Sequence, residues 1–280
     1  MKKRSTYFKC IIGLIFVIAI SFILRFLFST NINKKDFEAN KSLFIGETKN
    51  CNLYLFLGDV ALPNDVDESL KNISLDITRT RYDAFIISSV LTLQGEEWTL
   101  LPKSVGDVIS WIDPLLYANY ESEILNGMSW QNNPNISIKE FYISEDYKYR
   151  KLTHINRIYA ISLFNAINKT KNIQDKKERL KMGIEFSMKD IFEKYVSSQK
   201  DVSRICIPAI SGTSGTQDAN YFLTYYESWK SIFSGIKRAN LKGINEIYFV
   251  IWEDLRTQPQ QLKTALKGFL KAYNENILIN

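Results

Sequence analysis

The chain has 280 residues, 45% hydrophobic and 24% charged, with a formal net charge of +6. This balance excludes disordered and fibrous classes and suits one globular domain with elaborations. The mild basicity lacks the Lys/Arg-aromatic stripe of a nucleic-acid groove, so a small polyanion or an anionic membrane surface is the expected partner and nucleic acid is not.

Residues 10–29 read CIIGLIFVIAISFILRFLFS behind Lys2, Lys3, Arg4 and Lys9. About 20 apolar residues span a bilayer as a helix, and Arg25 lies near one end, where it snorkels to the interface. A cleaved signal peptide has similar flanks, but Phe26, Leu27 and Phe28 stand where a small-residue cleavage site belongs. A retained anchor over residues 1–30 is therefore expected. Lys34, Lys35 and Lys41 balance the basic residues in front, so charge leaves the topology open. Residues 31–50 are polar and read as a juxtamembrane linker. The globular domain is expected over 51–280.

Within it, Leu53-Tyr54-Leu55-Phe56-Leu57 is an apolar run without alternation, the pattern of a strand covered on both faces. Residues 84–90, 157–163, 203–210 and 247–252 repeat that character. Helices are expected over 66–78, 105–117 (with Pro114 a local disturbance), 175–198, 219–240 and 259–273. In the third of these, Leu180, Ile184, Met188 and Ile191 keep helical spacing. The aromatics Phe222, Tyr226, Trp229 and Phe233 read as core. Strands alternating with helices of crossover length define an α/β class with a largely parallel sheet.

Three cysteines, Cys10, Cys51 and Cys206, form neither a disulfide framework nor a metal spacing and predict free thiols. His154, the one histidine, has no partner for a zinc site or a catalytic triad and reads as structural. No metal or cofactor is expected.

The stretch Pro208-Ala209-Ile210-Ser211-Gly212-Thr213-Ser214-Gly215 carries the chemistry. A strand runs into a loop of small residues ahead of a helix, an order that lets backbone N–H groups converge on an anion. Gly212 and Gly215 permit close backbone approach to a phosphate. The same spacing also describes an ordinary tight turn.

Four places resemble a macro domain, the three-layer α/β/α module with a mostly parallel mixed sheet that binds ADP-ribose. Leu57-Gly58-Asp59-Val60 is similar to the family's first strand and G-D-I turn, and Tyr82-Asp83-Ala84-Phe85-Ile86 to its V-D-A-I-V strand. Ile207 to Gly215 resembles its phosphate loop, and residues 247–253 its following strand. The resemblance implies that Asp59, beside Val60, accepts a hydrogen bond from the adenine amino group. It further implies that Ser211, Gly212, Thr213, Ser214 and Gly215 hold the diphosphate, and that Trp252 lies beside adenine. Asp59 has an alternative reading as a turn residue, and Trp252 as core. The family's asparagine run is replaced by Ile87-Ser88-Ser89-Val90, which places Ser88 in the pocket. Its polyglycine loop is reduced to Lys103-Ser104-Val105-Gly106-Asp107. Both departures argue against a standard ADP-ribosyl hydrolase.

A span fused to such a domain also resembles the membrane effectors of type II Thoeris anti-phage systems. There a TIR-domain enzyme makes the nucleotide signal and the soluble domain is cytoplasmic. The resemblance implies a sensor in the cell membrane that oligomerises on binding an ADP-ribose derivative and disturbs the bilayer. The alternative is a membrane-bound hydrolase of such nucleotides, with Asp59, Asp83 or Asp107 as candidate acids, although no base and no G-x-S-x-G elbow accompany them.

Overall fold

A computed structural model describes residues 42–61, 82–91, 98–99, 103–127, 137–162, 172–210, 223–252 and 259–277. The chain divides into two compact units, Met1–Glu38 and Ala39–Asn280. The first, with the expected span, lies outside the described residues, as does the expected helix 66–78. Among the described residues no helix is long and apolar enough to cross a membrane.

The second unit is built on one mixed sheet. Its strands are β1 (Leu43–Thr48), β2 (Cys51–Gly58), β3 (Ala84–Leu91), β4 (Trp98–Thr99), β5 (Ser137–Tyr142), β6 (Arg157–Ser162), β7 (Arg204–Pro208) and β8 (Glu246–Trp252). The order is β1-β2-β8-β7-β3-β6-β5, with β4 paired to the end of β3. The five central strands, β2 to β6 along this order, are parallel, and β1, β4 and β5 are antiparallel additions. These five are the continuous apolar runs of the sequence, as burial on both faces requires.

The linker expected over 31–50 is corrected in its second half, where Leu43–Thr48 is a sheet strand. It joins β2 through a two-residue turn in which Lys49 and Asn50 have φ of 49° and 62°. Two left-handed residues match the twist of a hairpin. The Lys49 ammonium donates to the carbonyls of Lys237 at 2.5 Å and Ala239 at 2.6 Å.

Alternate strand residues feed two cores. Phe56, Phe85, Ile87, Ile158, Ala160, Cys206 and Val250 pack with α1 (Lys103–Ile112), α2 (Pro114–Gly127) and α3 (Lys148–Thr153). On the opposite face, α4 (Ile173–Asp190), α5 (Tyr225–Arg238) and α6 (Pro259–Asn276) form the second layer. There Trp229, Phe233 and Phe269 surround Phe249, with ring centroids 5.0–5.9 Å apart. Gly235 brings α5 against α4: a Cβ there would lie 2.5 Å from the Glu185 carbonyl oxygen.

Three helix boundaries differ from expectation. The segment 105–117 is two helices, because Asp113 ends α1 and caps α2, with Pro114 as the first helical residue of the latter. Lys103 to Asp107, expected as a reduced loop, form the start of α1. The helix expected from 219 begins at Tyr225, where Thr224 and Glu227 make a reciprocal capping box. The helix expected over 175–198 is α4 and leaves α geometry at Ile191 for a π turn, and a short 3-10 turn ends at Ser198.

Candidate functional site at the carboxyl edge of the sheet

Strand order locates a crevice independently of any motif. After β3 and its short partner β4 the chain goes on to β5 and β6 on one side of β3, whereas from β7 it moves the other way to β8. Neighbouring strands whose connections leave in opposite directions open a gap at their carboxyl ends, where open α/β sheets take ligands. Strand β7 delivers Pro208, Ala209 and Ile210 to that gap, and β3 delivers Ser88.

Asp59 follows β2 at the same edge and is 9% exposed. Gly58 pairs with Trp252, so the ends of β2 and β8 are level, and Pro208 pairs with Val250 two residues earlier on β8. Ser88 pairs with Ile161 of β6 and is buried. Asp59 and Ser88 therefore sit at one edge, separated by β8 and β7, about 14 Å at ordinary strand spacing. Trp252 is placed by its backbone as the last residue of β8. Ser211, Gly212, Thr213, Ser214 and Gly215 lie outside the described residues. Ile210, immediately before them, is fixed: its carbonyl accepts the Ser228 hydroxyl of α5 at 2.6 Å.

The turn after β2 is the most constrained part of this edge. Asp59 Oδ1 accepts the Ala61 N–H at 2.7 Å, the Tyr82 hydroxyl donates to the Val60 carbonyl at 2.6 Å, and the Tyr149 hydroxyl donates to the Ala61 carbonyl at 2.7 Å. Val60 and Ala61 are buried with it. Burial, reinforced by the neighbouring Cys206 and Asp59, pushes the Tyr82 phenol well above its ordinary value, and burial does the same to Tyr149 and the Cys206 thiol. All three are held protonated, so the tyrosines remain donors. Neither tyrosine is marked as a site residue by sequence, since the carbonyls they hold lie 22 and 88 positions away.

Asp83, a candidate acid, is placed at the opposite edge. Its Oδ1 accepts from Arg204 at 2.6 Å, and its Oδ2 accepts the N–H groups of Ser203 and Arg204, each at 2.9 Å. A carboxylate spent on fixing the start of β7 is structural, which corrects that assignment. Arg157 likewise joins Glu140 at 2.8 Å and Asp201 at 3.0 Å, so ion pairs tie the amino ends of the strands together. Among the described residues no group of His, Cys, Asp and Glu side chains gathers as a metal site would. His154 ends α3 in a left-handed conformation.

No protein-family model and no curated protein matches the chain. Solved structures with a similar backbone include the Oceanobacillus iheyensis macrodomain with ADP, at 15% identity and a TM-score of 0.46, covering 84% of this chain and 98% of that one. A point variant of the same macrodomain gives 13% and 0.47, covering 82% and 98%. Thermosipho africanus DarTG in complex with ADP-ribose gives 12% and 0.42, covering 81% of this chain and 48% of that one.

Proposed function

We propose that the domain binds an ADP-ribose-derived nucleotide along the carboxyl edge of the sheet. The observation that carries this reading is the placement of Asp59, the Pro208-Ala209-Ile210 strand end and Ser88 at one edge, around the crevice left by diverging connections. The Asp59 carboxylate accepts the adenine amino group, and Trp252 lies at the same end. The backbone of Ser211, Gly212, Thr213, Ser214 and Gly215 takes the diphosphate, and the distal ribose reaches Ser88. A lateral span of about 14 Å suits an extended nucleotide of two riboses joined by a diphosphate.

The reading extends to a sensor rather than a hydrolase. With Asp83 committed to Arg204, one of three candidate acids is removed. The chain is anchored in the cell membrane by residues 10–29 with its domain in the cytoplasm. A signal made by a TIR-domain enzyme favours assembly of homo-oligomers, and the clustered spans disturb the bilayer in anti-phage defence. A ligand drives such assembly only through its higher affinity for the assembled state.

The test is calorimetric titration of the full chain, purified in mild detergent, with ADP-ribose and an amino-acid conjugate of it, with light scattering on the same samples. Saturable binding that Gly215→Glu abolishes, together with larger particles, is expected. Binding unchanged in Gly215→Glu refutes the diphosphate assignment, and sustained turnover of ligand refutes the sensor.

A further inference from the structure

We propose that Tyr82 and Tyr149 are positioning residues that hold the Asp59 turn in its base-reading geometry and thereby set the selectivity of the site for adenine. The inference rests on the nucleotide reading above. Both phenols are buried, at 1% and 0% exposure, and they come from different elements. Tyr82 stands two residues before β3, and Tyr149 is in α3. They grip consecutive carbonyls, those of Val60 and Ala61, and Tyr82 makes a longer contact of 3.4 Å to the Asp59 carbonyl.

The consequence for Asp59 follows from peptide geometry. A trans peptide is planar, so its N–H points opposite to its C=O. Drawing the Val60 carbonyl towards Tyr82 aims the Ala61 N–H away from that phenol, and this N–H holds Asp59 Oδ1. The carboxylate is thus oriented by a chain of two hydrogen bonds that begins at a fully enclosed phenol. The second phenol is itself anchored. The Tyr149 N–H donates to Asp113 Oδ2 at 3.2 Å, and its carbonyl accepts the Thr153 hydroxyl at 2.8 Å. A turn fixed at two carbonyls and one side chain presents its acceptor in one orientation, as discrimination between an amino and a keto group on a purine requires.

The experiment uses the full chain in mild detergent and the variants Tyr82→Phe and Tyr149→Phe, which keep the ring and delete the donor. Each is titrated with ADP-ribose and with the hypoxanthine counterpart, IDP-ribose, and amide exchange is followed at Ala61, whose N–H holds Asp59 Oδ1. Tyr120→Phe is the control, because the Tyr120 hydroxyl is buried with no hydrogen-bond partner among the described residues. The wild type is expected to prefer ADP-ribose. Each site variant should narrow that preference by about fivefold, the scale of one neutral hydrogen bond, and speed exchange at the Ala61 amide. Tyr120→Phe should change neither. Variants that lose thermal stability but keep the wild-type preference would show a merely structural role and overturn the proposal. A wild type that binds neither nucleotide is a separate result, which removes the nucleotide reading and this inference with it.

Discussion

Asp113 offers a stringent test of how the layer beneath the site is held. One carboxylate serves two helices: Oδ1 accepts the Leu116 N–H of α2 at 3.0 Å and Oδ2 accepts the Tyr149 N–H of α3 at 3.2 Å. The residue is 7% exposed, so water does not replace these bonds easily. Replacing an N-cap aspartate by alanine costs about 1 kcal/mol. The stranded Tyr149 N–H adds a desolvation penalty of about 1–3 kcal/mol. Asp113→Ala should therefore lose about 2–4 kcal/mol in total. At about 2–4 °C per kcal/mol for a domain of this size, the melting temperature should fall by roughly 9 °C. Asp113→Asn should fall between the two, because an amide can accept from only one of the N–H groups. Urea unfolding followed by tryptophan fluorescence measures the loss, and amide exchange locates it in α2 and α3. A loss below about 0.5 kcal/mol, the scatter of ordinary surface substitutions, would refute the double cap.

The capping box at the start of α5 gives a pH prediction. Although burial opposes it, the Thr224 N–H and hydroxyl hold the Glu227 carboxyl below its ordinary value of 4.5. A depressed carboxylate contributes stability above its unfolded value and loses it as the pH falls through the folded one. Thr224→Ala should thus destabilise by about 1 kcal/mol at neutral pH and narrow its deficit below pH 4.5, as read from melting curves across that range. Gly235→Ala would place a methyl 2.6 Å from the Met188 Cβ and 2.5 Å from a backbone oxygen. Overpacking of about 1–3 kcal/mol is expected in chemical denaturation. Burial first, then the carboxylates of Glu246 and Glu47, push the Cys51 thiol up to about 12, and Cys206 is raised by burial. Alkylation at pH 8 should spare both in the folded protein and label both in urea, and native labelling of Cys206 would contradict its enclosure.

The five central strands are legible because each must be apolar on both faces, so 53–57, 84–90, 157–163, 203–210 and 247–252 need no periodicity to be seen. Strands β1 and β5 escape notice for the converse reason. Each stands at an end of the strand order and mixes Glu47, Lys139 and Glu140 among apolar residues. Asp113-Pro114 carries the signature of a helix start, an N-cap followed by proline, and only the assumption of one continuous helix turned it into a disturbance. Thr224-Tyr225-Tyr226-Glu227 likewise spells the capping box that shortens α5. At the site, the Gly58-Asp59 pair is visible as a turn ending a strand. The phenols that hold it are not, because tyrosines at 82 and 149 are indistinguishable by composition from any core aromatic until the fold brings them under the same two peptides.

The Lys49 hairpin also imposes an order on the making of this protein. Its ammonium closes on carbonyls at 237 and 239, and β2 finds its parallel neighbour only in β8, which ends at Trp252. Elongation at about 5–20 residues per second separates the appearance of β2 from that of β8 by about 10–40 s. For that interval Leu-Tyr-Leu-Phe-Leu is without its parallel neighbour, and a two-stranded hairpin with β1 is by itself marginal in water. The segment that opens the domain is among the last to be buried, and it is where a holding chaperone would be found on the nascent chain.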